Sequence, residues 1–257
     1  MGRLALIVAV VTLASGCVTK KRQLRADAKI ELGTAYLQEG RVEASIGTLE
    51  QAVKLDPRNV TAHERLGLAL VRRGEPEAAE SAFQRALKLD AEATSVRVNY
   101  GYLLQKLGRH EDAVAVLEPG EADYTYDKPV VVLSNLGFSY LQVGRTGDAL
   151  GVLQEATVRG PHYCPAWYNL GLAYEAEHKL EEALDAYEHV LMLCDETSDG
   201  SRHRAGLVLL ELERCEDGSA YLQAVIDGTE VPEDVLSEAR TALAAPCPGV
   251  AQADGDP

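Results

Sequence analysis

Apolar residues in the stretch 165–193 recur at spacings of three and four, which places them on one face of each of two successive helices. The first helix carries Trp167, Leu170, Gly171 and Tyr174, and the second carries Ala183, Tyr187 and Val190. A small residue in each helix lets the two helices approach closely, and the tyrosines fill the space beside it. The pattern therefore predicts two helices packed against each other.

The same pattern occurs four more times upstream, at intervals of 34 to 36 residues. One position holds glycine in every copy: Gly33, Gly67, Gly101, Gly137 and Gly171. A small residue follows in the second helix: Ser45, Ala79, Ala113, Ala149 and Ala183. Four residues later a large one follows: Leu49, Phe83, Leu117, Leu153 and Tyr187. Agreement at these positions over five copies indicates a repeat protein rather than unrelated amphipathic helices.

Turn residues mark the ends of the helices. Glycines between the two helices of a repeat stand where a helix end favours a left-handed residue: Gly40, Gly74, Gly108 and Gly144. Asp56-Pro57 and Gly160-Pro161 end a second helix and begin the next repeat. These glycine and proline positions predict helical hairpins joined by short turns.

The motif W-x2-LG-x2-Y…A-x3-aromatic, with its period of roughly 34 residues, resembles the tetratricopeptide repeat. The resemblance implies an all-α solenoid, a right-handed superhelix of about six hairpins with a shared core, closed by a capping helix. The predicted repeats are 26–59, 60–93, 94–129, 130–163, 164–197 and 198–231, with a capping helix over 232–245 and a disordered tail over 246–257.

Two regions depart from the repeat. In the third copy, Glu118-Pro119-Gly120 is expected to break the second helix early. The following segment contains Tyr124 and Tyr126, and either packs against the repeat edge or forms a binding feature. After Asp195 the pattern weakens, and a sixth hairpin is predicted from Ser201–Arg214 and Glu216–Asp227, with its packing positions at Ala205, Tyr221 and Ala224.

The N-terminus reads as an export signal. Arg3 precedes an apolar run, Leu4–Leu13, which is too short to span a bilayer, and Ala14-Ser15-Gly16-Cys17 follows. This segment resembles a bacterial lipobox, which implies a signal peptide over 1–16, a lipidated Cys17 and a tether over 17–25. Val18 after the cysteine implies the periplasmic face of the outer membrane. Cleavage near Gly16 to release a free secreted protein is the alternative.

Charge narrows the choice of partners. Without residues 1–16 the chain has 40 acidic and 24 basic residues, a net −16, which argues against nucleic acid. The basic residues Lys20, Lys21, Arg22, Arg25 and Lys29 either meet anionic lipid headgroups or form a solvated tether. From Glu211 onward the chain has eleven acidic and two basic residues. This excess of negative charge forms either a solvated face or an electrostatic docking surface.

Four cysteines remain after Cys17, and an even number in an exported chain favours two disulfides. Antiparallel helices bring the start of one hairpin close to its end, so we predict Cys164–Cys194 and Cys215–Cys247. The histidines are scattered without metal-ligand spacing, and neither a phosphate loop nor a nucleophile elbow occurs. No metal site, cofactor or catalytic residue is predicted.

The repeat resemblance also implies a binding groove lined by the first helix of each hairpin. Side chains at repeat positions 5, 9 and 12 are mostly apolar, and position 6 is asparagine in three consecutive repeats. The predicted groove residues are Asn99, Tyr102, Asn135, Phe138, Leu141, Tyr168, Asn169 and Leu172. The asparagines would hold an extended peptide backbone while apolar subsites take its side chains. The alternative is that some of these residues only pack neighbouring helices.

The lipobox followed by repeats, with Val98-Asn99-Tyr100-Gly101 and Asn135-Leu136-Gly137, resembles the pilotin-type lipoproteins of type IV pilus biogenesis, the PilF, PilW and Tgl group. Length and the basic stretch look closest to the myxobacterial member. The resemblance implies a monomeric outer-membrane protein that binds secretin subunits and promotes their assembly or localisation. A periplasmic scaffold for cell-wall enzymes or outer-membrane protein insertion is the alternative, and an accessory module with sugar-processing or peptidase chemistry is a weaker one.

Overall fold

The computed structural model describes residues 2–194, 198–228 and 231–245, with side chains from residue 20 onward apart from residue 198. These residues form thirteen α-helices and no β-strand. The side chain of Cys17, together with Cys247 and the predicted tail over 246–257, lies outside the described residues. Among the described helices, none combines the length and the apolar character needed to cross a bilayer.

The helices follow one another as first and second members of hairpins. Their bounds are α1 Gly2–Gln38, α2 Val42–Leu55, α3 Val60–Arg73, α4 Pro76–Leu89, α5 Thr94–Lys106, α6 His110–Glu121, α7 Pro129–Gln142, α8 Thr146–Arg159, α9 Cys164–Ala176, α10 Leu180–Leu193, α11 Ser198–Glu211, α12 Cys215–Ile226 and α13 Glu233–Ala244. Helix α1 continues through residues 17–25, so the segment predicted to be a tether is helical.

The chain divides into two compact units. Unit 1 comprises residues 1–123 and contains the hairpins α1–α2, α3–α4 and α5–α6. Unit 2 comprises residues 124–257 and contains α7–α8, α9–α10 and α11–α12, with α13 packed on α12 and α11. The division falls between α6 and α7, in the segment that makes the third repeat longer than its neighbours.

The repeated glycine sets the contact between the two helices of each hairpin. A Cβ atom at Gly67 would lie 2.6 Å from the Phe83 ring, and one at Gly137 would lie 2.4 Å from Leu153 Cγ. The glycines in the other repeats meet their large partners equally closely. In the sixth hairpin these roles belong to Gly206 and Leu222, each one residue after Ala205 and Tyr221, which the sequence had placed roughly at these positions.

The turns confirm the prediction of left-handed residues between paired helices. Gly40, Gly74, Gly108 and Gly144 have φ angles of 75°, 83°, 71° and 75°. The fifth and sixth hairpins make the same turn without glycine, through His178 at φ 55° and Glu213 at φ 60°. A non-glycine residue is sterically strained in this conformation. Because neither turn contains glycine, the sequence did not reveal them.

The second helix of the third repeat ends early, as expected, although after Pro119 rather than before it: α6 ends at Glu121 and has 12 residues, against 14 in α2, α4 and α8. Proline lacks a backbone N–H and so removes one hydrogen bond of the helix, which continues for only two residues beyond Pro119. In the segment that follows, Tyr124 is 80% exposed, and its ring centroid lies 5.6 Å from the Arg159 guanidinium carbon. Tyr124 is therefore not packed into the edge of the repeat.

Candidate functional site

Burial separates the predicted groove positions into two classes. At position 5, four residues are buried between helices, namely Ile30, Glu64, Val98 and Ser134, and Tyr168 is partly buried. Position 9 keeps partial or full exposure at Thr34, Leu68, Tyr102, Phe138 and Leu172, and position 12 does so at Leu37, Val71, Gln105, Leu141 and Glu175. Positions 9 and 12, rather than position 5, therefore supply the accessible groove surface.

Two of the three asparagines at position 6 donate hydrogen bonds to the preceding repeat. Asn99 Nδ2 donates to Glu64 Oε1 at 2.8 Å. Asn169 Nδ2 donates to the carbonyl oxygen and the hydroxyl of Ser134, both at 3.3 Å. Each bond runs from position 6 of one repeat to position 5 of the preceding one, so these two amides have a structural role. Neither bond uses Oδ1, so a peptide contact through that atom stays a prediction.

The predicted groove residues are distributed over both units. Asn99 and Tyr102 lie on α5 in unit 1, and Tyr102 is 48% exposed. The other six residues lie on α7 and α9 in unit 2, and these two helices contact each other. Tyr168 and Leu172 also pack against the buried cluster around Tyr187 and Leu209, so each is shared between groove and core.

Glu175 at position 12 is the centre of a network that the sequence did not reveal. Its Oε1 accepts a hydrogen bond from Arg204 Nε at 3.1 Å, and its Oε2 accepts one from Arg204 Nη2. The buried Tyr187 hydroxyl donates to the same Oε1 at 2.6 Å. Burial of the ring raises the pKa of Tyr187, and the adjacent Glu175 carboxylate raises it further. Burial opposes the Arg204 charge most strongly, but the hydrogen bonds and charges of Glu175 and Tyr187 together outweigh it and raise the pKa of the guanidinium.

Cys164, Cys194 and Cys215 lie at the ends of helices in unit 2. Cys164 and Cys194 are paired across the α9–α10 hairpin, with their Cα atoms 6.6 Å apart. Cys215 is also disulfide-bonded, and its predicted partner Cys247 lies outside the described residues. Within the described part of the chain, no group of three or more His, Cys, Asp or Glu side chains could hold a metal ion.

Models of the tetratricopeptide repeat match residues 30–94, 65–119 and 164–196. A stretch of 82 residues is 35% identical to the probable UDP-N-acetylglucosamine–peptide N-acetylglucosaminyltransferase SPINDLY of Hordeum vulgare, covering 30% of this chain and 9% of that protein. A stretch of 61 residues is 38% identical to the chloroplastic tetratricopeptide repeat domain-containing protein PYG7 of Arabidopsis thaliana, covering 24% of this chain and 20% of that protein. The chain thus matches only a small part of either relative.

Solved structures match over much more of the chain. PilF of Pseudomonas aeruginosa has a TM-score of 0.72 at 23% identity, with 80% of this chain and 93% of that chain covered. The type IV pilus biogenesis factor PilW has a TM-score of 0.75 at 19% identity, with 82% and 97% covered. The Cut9–Hcn1 heterotetramer of the APC/C has a TM-score of 0.71 at 21% identity, with 90% of this chain but 45% of that chain covered.

At these identities the likeness concerns the fold. Together with the matched repeat models and the succession of helical hairpins, it identifies the chain as a protein of all-α tetratricopeptide-repeat fold, structurally similar to the pilus factors PilF and PilW.

Proposed function

We propose that this chain is an outer-membrane lipoprotein that binds secretin subunits of the type IV pilus machine and promotes their assembly or localisation. Cys17 would carry the acyl chains that hold the protein at the periplasmic face of the membrane. The described helices would then act by binding another polypeptide, without chemistry of their own.

The observation that carries the proposal is the extent of the match with PilF and PilW. These matches combine coverage of 93% and 97% of the PilF and PilW chains with TM-scores of 0.72 and 0.75, whereas the Cut9–Hcn1 chain is covered over 45%. The lipobox-like Ala14-Ser15-Gly16-Cys17 is an independent support, because a lipid anchor suits a partner that inserts into the outer membrane. The particular closeness to the myxobacterial member of the group stays a prediction.

The accessible groove positions would supply a binding surface on each unit. Tyr102 on α5 offers an exposed aromatic ring in unit 1, and Phe138, Leu141 and Leu172 offer partly exposed apolar side chains in unit 2. Apolar side chains at regular spacing suit an extended segment whose alternate residues need subsites. Aromatic rings at such positions often contribute most of the binding free energy.

Deletion of the gene tests the biological role. We expect loss of secretin multimers that resist heat and detergent, and loss of surface pili, with secretin monomer still present. Restoration by the wild-type gene and failure of Cys17→Ala to restore multimers would support the role of the anchor. Unchanged multimers and piliation after deletion would exclude the pilus function and favour a scaffold for other envelope proteins.

Capture of the secretin by the purified protein tests the groove. Tyr102→Ala and Phe138→Ala should each weaken capture about tenfold, because each removes an aromatic ring from position 9. Val158→Ala is the matched control, because Val158 is 81% exposed on a second helix, α8. Equal capture by all three variants would place the binding site elsewhere on the protein.

A further inference from the structure

Basic side chains gather at the end of unit 1 from which α1 enters the first hairpin. The helix carries five of them, four exposed and Lys29 partly buried: Lys20, Lys21, Arg22, Arg25 and Lys29. Because α1 is continuous through these residues, their positions are fixed relative to the hairpin. They therefore form a surface rather than a flexible tether.

The end of α2 lies beside this part of α1. Later residues of α2 meet earlier residues of α1, since Ser45 Oγ donates to the Gly33 carbonyl at 2.7 Å and Val53 packs against the cluster that contains Ile30. Lys54 follows Val53 and is exposed. The antiparallel packing thus brings a sixth basic residue to the same end of the hairpin.

The turn after α2 adds a seventh basic residue, Arg58, which is exposed. The neighbouring Asn59 donates from Nδ2 to Asp27 Oδ1 on α1 at 3.3 Å, which holds the turn against that helix. The acidic residues at this end already accept hydrogen bonds, Asp27 from this amide and Asp56 from the Arg58 backbone N–H at 3.2 Å. None of the seven basic residues forms an ion pair within the described part of the chain.

Positive charge is concentrated at this end of the unit. Residues 20–29 and 54–58 contain 7 basic and 2 acidic residues, a net +5. The rest of unit 1, apart from Arg3, contains 9 basic and 15 acidic residues, a net −6. Leu24 is 63% exposed among the basic residues, and Pro57 is exposed in the turn. Basic residues with exposed apolar side chains among them suit the headgroup region of a membrane.

An anionic phospholipid surface has the complementary chemistry. Its phosphate oxygens accept charge-assisted hydrogen bonds from lysine and arginine, and Leu24 can pack against the upper acyl chains. Lys20 follows three residues after Cys17, so acyl chains on Cys17 would keep the seven residues at such a surface. We propose that this basic end of unit 1 docks on anionic phospholipid headgroups and holds the unit in one orientation on the membrane. The inference rests on the anchor of the proposed function and adds a second contact to it.

Lysine labelling on vesicles tests the contact. The full chain, as processed in the cell, is purified in non-ionic detergent and reconstituted on vesicles of phosphatidylcholine, alone or with about one-third phosphatidylglycerol. Acetylation of each lysine is followed by mass spectrometry. Lys54 should react at least about tenfold more slowly on the anionic vesicles, since each basic residue at such a surface favours docking about fivefold. Lys88 is the internal control, because it is exposed at the equivalent position of α4, and its rate should not change.

Matched double variants locate the charge requirement. Arg22→Gln with Arg25→Gln should make Lys54 react about fivefold faster on the anionic vesicles than in the wild type. Arg85→Gln with Lys88→Gln removes the same charge from exposed positions of α4 and should leave Lys54 unchanged. Equal rates of Lys54 on the two kinds of vesicle, or equal effects of the two double variants, would overturn the proposal.

Two further arms exclude other occupants of the surface. Inorganic phosphate added to the phosphatidylcholine vesicles should not slow Lys54, and slowing by phosphate alone would show a simple anion site instead of a docking surface. Slowing on phosphatidylcholine vesicles that grows with protein density would assign the surface to an acidic region of a second copy, and would likewise overturn the proposal.

This experiment and the tests of the proposed function fail independently. The mass of the intact chain shows whether Cys17 is acylated. An acylated chain whose Lys54 reacts equally on both vesicles retains the anchor and lacks the docking surface. A chain without acyl groups whose Lys54 is still slowed has the docking surface and lacks the anchor. Slowed Lys54 together with intact secretin multimers after deletion of the gene would support the docking surface and exclude the pilus role.

Discussion

Unit 1 and unit 2 are built from the same hairpin but carry different charges. Residues 1–123 contain 17 basic and 17 acidic residues, whereas residues 124–257 contain 8 and 23, so one unit is neutral and the other has a net −15. Charge on a solvent-exposed helix face does not affect the packing of two helices. The repeat can therefore keep its interior while its surface changes from one unit to the next.

The interiors show how little the packing itself varies. In both units a glycine on the first helix lies against a large side chain on the second, as Gly67 does against Phe83 and Gly137 against Leu153. The differences lie at the ends of the helices. Unit 2 has the Cys164–Cys194 pair, and two of its turns place a non-glycine residue in the left-handed region. Unit 2 thus combines a cross-link with strained turns.

The largest expected difference between the units concerns the cross-link. Replacing Cys164 and Cys194 together with alanine should lower the unfolding free energy of unit 2 by about 3.5 kcal/mol, because a closed loop of 30 residues is released in the unfolded chain. Hydrogen exchange followed by mass spectrometry should show faster exchange in α9 and α10, with α3 and α4 of unit 1 as the internal control. Free thiols at both positions in the unreduced wild-type protein would contradict the pairing.

Glycine substitutions test whether the interiors are equivalent. Gly137→Ala should destabilise the protein by about 2 kcal/mol, because its Cβ would lie 2.4 Å from Leu153 Cγ. Gly67→Ala should lower the free energy of unfolding by at least as much, because rotation of the rigid Phe83 ring does not move it away from the new Cβ atom. The matched controls are Gly151→Ala in unit 2 and Gly47→Ala in unit 1, where a Cβ meets nothing within 4 Å.

Those controls should stabilise their helices by about 0.7 kcal/mol, since alanine has the higher helix propensity. Urea unfolding monitored by circular dichroism measures all four variants. If only one of Gly67→Ala and Gly137→Ala destabilises the protein, the interiors of the two units differ more than the structure indicates.

The turns should give smaller effects of opposite sign. Gly108→Ala in unit 1 should cost about 1 kcal/mol, because φ is 71° at that residue. His178→Gly in unit 2 should stabilise the protein by about 0.5 kcal/mol, because φ at this residue is 55° and glycine adopts that angle without strain. Thermal unfolding of the two variants against wild type measures both changes. A loss of stability in His178→Gly would show that the histidine makes a contact worth more than the strain.

Acid should weaken unit 2 through His203. Burial holds the pKa of His203 below its usual value, whereas a histidine in the unfolded chain has a pKa of about 6.5. Below that pH the unfolded state binds a proton that the folded state resists, so the stability of unit 2 falls as the pH decreases. Hydrogen exchange in α11 at pH 7.5 and 5.5 should show this, after correction for the intrinsic exchange rate. His203→Gln should remove the pH dependence, and an unchanged dependence would assign it to other groups.

Much of the fold could be predicted from the sequence because its signals are local or periodic. The spacing of Gly33, Gly67, Gly101, Gly137 and Gly171 located five hairpins, and the turn glycines located the ends of their first helices. Glu118-Pro119-Gly120 correctly indicated an early end of α6, but the helix includes these residues and ends at Glu121. The sixth hairpin was predicted only approximately, because the pattern weakens there, and its contact pair is Gly206 and Leu222.

The candidate site was less predictable. Tyr102 is exposed and Phe138 partly exposed, whereas position 5 is mostly buried between helices. Whether a side chain on the first helix faces the groove or the neighbouring repeat depends on how closely adjacent helices pack. The role of Asn99 as a donor to Glu64 also depends on that packing, because the two residues are 35 positions apart in the chain.

The sequence by itself determined the repeat, its period, the left-handed glycine turns and the imbalance of charge between the two halves, since each of these depends on neighbouring residues or on composition. Only the tertiary structure decided which groove residues remain accessible, that Glu175 is joined to Arg204 and Tyr187, and that the turn after α2 places Arg58 beside the basic residues of α1. Those arrangements bring together side chains from different helices, and the distances between them follow from packing rather than from any pattern along the chain.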